Sequence, residues 1–139
     1  MAGTTQTLEQ VIGRMVGKPF AWQGRGPDYY DCWGVVYEIL CFLGCTEVPD
    51  YEDVNNPNSV IKMMAIETTT PKWQLVNDSR TGDVILLSKA KEIFHHAGVI
   101  TEWGVVHAIP KAGVIVSKLQ DLHQIGYKHQ KVYRWAGSE

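Results

Sequence analysis

Apolar residues follow two rhythms along the chain. In the first half they recur at helical spacing; in the second they come in short runs broken by turn residues. Leu8, Val11, Ile12 and Met15 share one helical face, behind a Thr7 cap with Gln10 at the capping-box position. Gly17 and Pro19 close that helix. Asp31 is a good cap for a second helix, in which Val35, Val36, Ile39, Leu40, Phe42 and Leu43 are apolar almost all round. Such a helix belongs in the centre of the molecule, and Gly44 ends it. A shorter helix is predicted over residues 58–66, broken by Thr68-Thr69-Thr70-Pro71. Strands are predicted over residues 84–87, 96–101, 105–109, 114–116 and 132–135. Helices first and an antiparallel meander second make an α+β layout, with the helices on one side of the sheet.

Two stretches read as loops. Residues 17–30 are rich in glycine and proline, yet carry Phe20, Trp22, Tyr29 and Tyr30. Aromatics in a loop either cover the core or line a groove. Residues 46–57 are acidic and turn-rich, as a solvated surface loop would be.

Length and composition then limit the function. The 139 residues, 45% of them hydrophobic, suit one domain over residues 1–139 with one core. A formal net charge of -2 lacks the basic surplus of a general nucleic-acid binder. No apolar run approaches the ~20 residues that cross a bilayer. The start, Met1-Ala2-Gly3-Thr4-Thr5-Gln6-Thr7, is polar and has no secretory-signal pattern, so a protein made for the cytosol, or leaving the cell by another route, is expected. Three cysteines without paired CxxC spacing fit neither a disulfide framework nor a structural zinc ribbon.

Among the cysteines, Cys32 stands apart. It follows a capping aspartate and opens the apolar helix, where the positive end of the helix dipole favours a thiolate. Cys41 and Cys45 read as small apolar residues. His96 begins one predicted strand and His107 lies on the next, across a turn at Glu102-Trp103-Gly104. On neighbouring strands one imidazole can take the thiol proton while the other orients it. His95 alternates to the opposite face, as a surface or supporting residue, and His123 and His129 fall in a polar loop. Composition and spacing permit a Cys-His-His triad without selecting it. The same three residues also make a zinc ligand set.

These residues carry a resemblance. Asp31-Cys32-Trp33-Gly34-Val35-Val36 resembles the nucleophile motif of the NlpC-type cell-wall peptidases, papain-like hydrolases of peptidoglycan. The Gly17–Gly24 stretch is similar to the loop before that cysteine, Gly82-Asp83-Val84-Ile85-Leu86 to the family's Gly-Asp strand, His96-Ala97-Gly98-Val99-Ile100 to its histidine motif, and Val106-His107-Ala108 to the strand bearing its third residue. The resemblance implies a papain-like fold with Cys32 as nucleophile, His96 as base and His107 orienting the base. It implies peptidoglycan stem peptides as substrate, with no cofactor and no metal. Two positions depart from the pattern. Trp33 replaces a serine, with bulk that would reshape the substrate side. Phe20 replaces a tyrosine whose hydroxyl helps the oxyanion; Tyr29 or Tyr30 is a candidate substitute, and Arg25 a candidate partner for a substrate carboxylate. Small members with Asp-Cys-Trp-Gly are similar to proteins of tailed-phage tails. That implies assembly into a virion tail beside other tail proteins. The alternative is an inactive structural adaptor of the same fold.

Overall fold

The computed structural model describes residues 6–91 and 93–137; the first five residues of the polar start lie outside them. Three helices come first, α1 (Leu8–Met15), α2 (Cys32–Phe42) and α3 (Pro57–Glu67). Six strands follow: β1 (Trp73–Val76), β2 (Val84–Ser88), β3 (His96–Thr101), β4 (Gly104–Ile109), β5 (Gly113–Ser117) and β6 (His129–Trp135).

The helix ends are set by side-chain caps. Thr7 and Gln10 form the predicted capping box of α1. Asp31 caps α2 through its Oδ1, which accepts the Gly34 N–H at 2.7 Å. At the other end the Gly44 and Cys45 N–H groups donate to the Cys41 and Leu40 carbonyls, a Schellman closure. Asn56 caps α3, so that helix starts at Pro57, one residue earlier than its apolar spacing predicts.

The sheet is antiparallel, in the order β1-β6-β2-β3-β4-β5. It is therefore not a simple meander. Strands β2 to β5 run as one, but β6 returns to pair with β2 and carries β1 on its outer edge. The sequence reading lacks β1 and the first half of β6. In β1 only Trp73 is buried, and Leu75 is exposed. In β6 the polar residues His129, Gln130 and Lys131 pair with β2; the first two are exposed, and Lys131 is half-buried with its Nζ over the Phe94 ring. His129 is thus a strand residue rather than a loop residue, although it is exposed.

One face of the sheet packs on the helices. Trp33, Val36 and Ile39 from α2 share a core with Val84, Leu86, Ala97, Val99, Val106 and Ala108. On the other face Ile85, Leu87 and Val105 pack under Leu122, with Ile100, Tyr127 and Val132 beside them. Because both faces are covered, β2 is buried along its whole length and reads as a continuous apolar run. Asp83, just before β2, accepts both Nε and Nη2 of Arg134 at 2.8 Å, tying the entrance of β2 to the end of β6.

Candidate active site

The N-terminus of α2 abuts the end of the sheet where β3 begins and β4 finishes. Cys32 is the first residue of the helix, and Gly34 sets how close the helix comes to the loop before it. A Cβ on Gly34 would fall 2.0 Å from the Gly24 carbonyl oxygen, so a side chain there would push the cysteine out of position. Asp31 anchors the same junction. Besides capping Gly34, it accepts the Gln23 N–H at 2.8 Å and Arg25 Nη1 at 2.7 Å. Arg25 also bonds the Asp50 side chain and carbonyl. It therefore braces the helix entrance and the 46–57 loop, and its donors are committed inside the protein rather than offered to a substrate.

Cys32 and His96 line one groove of about 200 Å³, together with Phe20, Trp22, Lys89 and Tyr127. Lys89 is the one formally charged side chain among the described lining residues. His96 Nε2 lies 2.8 Å from His107 Nδ1, and His107 Nε2 lies 2.8 Å from Ser117 Oγ. Two sets of tautomers satisfy the chain; in one of them His96 donates from Nε2 to His107, His107 donates from Nε2 to Ser117, and His96 Nδ1 is left as an acceptor. The two histidines spend ring nitrogens on each other rather than converging on an ion. Among the described residues no group of three His, Cys, Asp or Glu is placed to hold a metal.

Electrostatics departs from the sequence expectation of a dipole-activated thiolate. Burial pushes the Cys32 thiol up to about 12, and the Asp31 carboxylate adds to the rise. The Ala97 N–H hydrogen bond, Arg25 and the Trp33 N–H pull the other way without cancelling it. Desolvation also holds His96 well below its ordinary value, with His107, His95 and Lys89 reinforcing the shift. His107 is lowered to about 4 by burial. These shifts all favour the uncharged forms, a neutral thiol and neutral imidazoles. Removal of the sulfur from water is the largest cause of the Cys32 shift.

Several neighbours sit differently from their sequence reading. Trp33 is core: it packs against Tyr51 and Trp73, and its Nε1 donates to the Pro49 carbonyl at 2.8 Å, away from any substrate side. Tyr30 is buried and its hydroxyl donates to Glu38 at 2.6 Å, so it offers nothing to an oxyanion at Cys32. Tyr29 is exposed and does not line the groove. Phe20 does line it, edge-on to Trp22 at 5.2 Å. His95 precedes β3 instead of alternating within it; it is half-buried and lines the same groove as His96. Ser117 and Tyr127 were not visible as site residues. Ser117 ends an ordinary apolar strand, and Tyr127 lies in a polar segment whose only signal is Gly126 before it.

A cysteine at a helix N-terminus, sharing a groove with a sheet histidine that bonds a second histidine behind it, defines a papain-like domain. The chain belongs to the NlpC/P60 family, whose model matches residues 17–131. Solved structures agree on the fold. The NlpC/p60 domain of the peptidoglycan hydrolase SagA aligns with a TM-score of 0.58 at 14% identity, over 93% of this chain and 96% of that one. NlpC2 from Trichomonas vaginalis aligns with a TM-score of 0.58 at 18% identity, over 92% of this chain and 45% of that one. NlpC1 from the same organism gives a TM-score of 0.57 at 18% identity, over 92% of this chain and 42% of that one. Curated proteins give no sequence match.

Proposed function

We propose that the protein is a cysteine peptidase that cleaves amide bonds in the peptide stems of peptidoglycan, with Cys32 as nucleophile, His96 as general base and His107 as the residue that orients His96. The observation that carries this reading is the hydrogen bond between His96 Nε2 and His107 Nδ1 at the groove that Cys32 lines. It leaves His96 Nδ1 as the nitrogen to receive the thiol proton. As sulfur attacks the carbonyl carbon, the proton passes from Sγ to His96, and the imidazolium is stabilised through His107. The C–S bond forms while the carbonyl electrons move onto oxygen. The Cys32 N–H, in the first turn of α2 and not the one that the Asp31 cap accepts, supplies a donor for that oxyanion. Collapse expels the amine, which takes the proton from His96. Water, deprotonated by His96, then hydrolyses the thioester and restores the thiol.

A neutral resting pair suits this sequence of steps. His96 is unprotonated at neutral pH, and the proton need travel only from sulfur to the neighbouring ring. Digestion of purified peptidoglycan, followed by mass spectrometry of the released stems, tests the proposal. Wild type should produce new peptide termini, and Cys32→Ala and His96→Ala should produce none.

One observation favours a second reading. Phe20 places a bare ring on the groove wall where the family's tyrosine would bring a hydroxyl, and loss of one oxyanion donor costs roughly 10²–10³ in rate. An inactive adaptor with the same fold would need no such donor. Turnover by wild type that is absent in Cys32→Ala would dismiss it. The setting we propose is the tail of a bacteriophage, made in the bacterial cytoplasm and assembled beside other tail proteins, to open the wall during infection. It rests on the Asp31-Cys32-Trp33-Gly34 resemblance. Mass spectrometry of purified virions tests it, and absence of the chain there would refute it.

A further inference from the structure

We propose that Tyr127 is a positioning residue of this site: its ring lies flat on the His96 imidazole, fixes the plane in which that imidazole bonds His107, and keeps water off the bond. The inference rests on the peptidase reading above. The Tyr127 and His96 rings are 4.9 Å apart with an interplanar angle of only 8°. The same tyrosine meets His107 edge-on, at 6.4 Å and 75°. One ring therefore touches both partners of the His96–His107 hydrogen bond.

The ring is itself well held. The Tyr127 N–H donates to the Leu122 carbonyl at 3.0 Å, and the next N–H, of Lys128, donates to Ser88 at the end of β2. Leu122 is buried in the second core. Lys89 Nζ lies 5.7 Å from the Tyr127 ring centre. The phenol hydroxyl makes no hydrogen bond to any described residue, so the geometry employs the ring face rather than the oxygen. A single hydrogen bond from Nε2 leaves the imidazole free to tilt about that contact. A flat neighbour removes the tilt. The charged or titratable groups around His96 are Cys32 from α2, His107 from β4, His95 ahead of β3, Lys89 after β2 and Tyr127 ahead of β6.

The test compares wild type with Tyr127→Phe, Tyr127→Leu and Tyr127→Met. Steady-state kinetics on a synthetic stem peptide are read together with a ¹⁵N-histidine NMR titration of His96. Tyr127→Phe keeps the stacked ring and is expected to keep the wild-type kcat. The Leu and Met variants are expected to lose kcat on the order of 10²-fold with KM little changed, because a misaimed base costs about that much. In them His96 should titrate nearer its ordinary value as water reaches it. Wild-type kcat in both variants, a loss confined to KM, or a Tyr127→Phe as impaired as Tyr127→Leu would each overturn the proposal. If one variant does not fold, the other gives the same reading. If wild type itself cleaves nothing, the peptidase reading falls, and an unchanged His96 titration in the Leu or Met variant separately overturns the role of Tyr127.

Discussion

Gly98 lies against His107 across the β3–β4 pair, and a Cβ built on Gly98 would fall 3.0 Å from the His107 Cβ and 2.6 Å from Val105 Cγ1. Gly98 is two residues from His96 and so shares its face of the strand. The absent side chain is what leaves room for one imidazole to reach the other. Gly98→Ala is expected to destabilise by about 1–3 kcal/mol, as overpacking does. It should also lower kcat more than it raises KM, because it pushes His107 away from His96. Thermal unfolding and kinetics on the same preparation check both. An alanine variant with unaltered kcat would show that the spacing is not needed.

The buried histidines predict a loss of stability in acid. His107 is lowered from 6.5 to about 4, and His96 is lowered as well. A base whose folded pKa lies below its unfolded value binds more protons when unfolded. The histidines' contribution to stability is therefore complete above pH 6.5 and is lost as pH drops through the window from 6.5 to about 4. Across that window His107 alone accounts for roughly 3 kcal/mol. Urea unfolding at stepped pH should show the decline, and His107→Gln should flatten part of it. A wild-type stability level across the window would mean that the pair is protonated in the fold.

Much of the architecture is legible in the sequence because local and tertiary signals agree. The capping box at Thr7, the Asp31 cap and the Gly44 terminator each bound a helix that also packs by its apolar face. His96 and His107 can be placed on neighbouring strands because the turn at residues 102–104 is short. The missing pieces are those whose cause is remote. β1 is an edge strand recruited by β6, with one buried residue and nothing local to mark it. The Cys32 thiol is legible as a position but not as a charge state, since the burial that raises it depends on the packed fold. Trp33 looks like a substrate-side residue because it adjoins Cys32, yet a step of one along a helix turns the side chain through about 100° and into the core.

A thiol held near 12 yields little thiolate in the free protein at neutral pH. Alkylation of Cys32 by iodoacetamide, located by mass spectrometry, is therefore expected to accelerate steadily with pH to about pH 9. No plateau should occur below neutrality. His96→Ala should slow the reaction further by removing the proton acceptor. A plateau in acid would mean that the pair rests as thiolate and imidazolium, and would displace the neutral-pair account of the site.

Ser117 closes the row that begins at His96. Its Oγ lies 2.8 Å from His107 Nε2, and His107 is fully buried. In Ser117→Ala the ring nitrogen loses its protein partner, and an unsatisfied buried donor costs about 1–3 kcal/mol. The His107 ring then loses the contact that holds its Nε2 end in place, and with it part of the orientation it gives His96. A fall in kcat of about tenfold is expected, the equivalent of ~1.4 kcal/mol in the barrier. Ser117→Thr keeps the hydroxyl and should recover most of the rate. If alanine matches wild type in both Tm and kcat, the functional row ends at His107, and Ser117 is only a strand residue that happens to adjoin it.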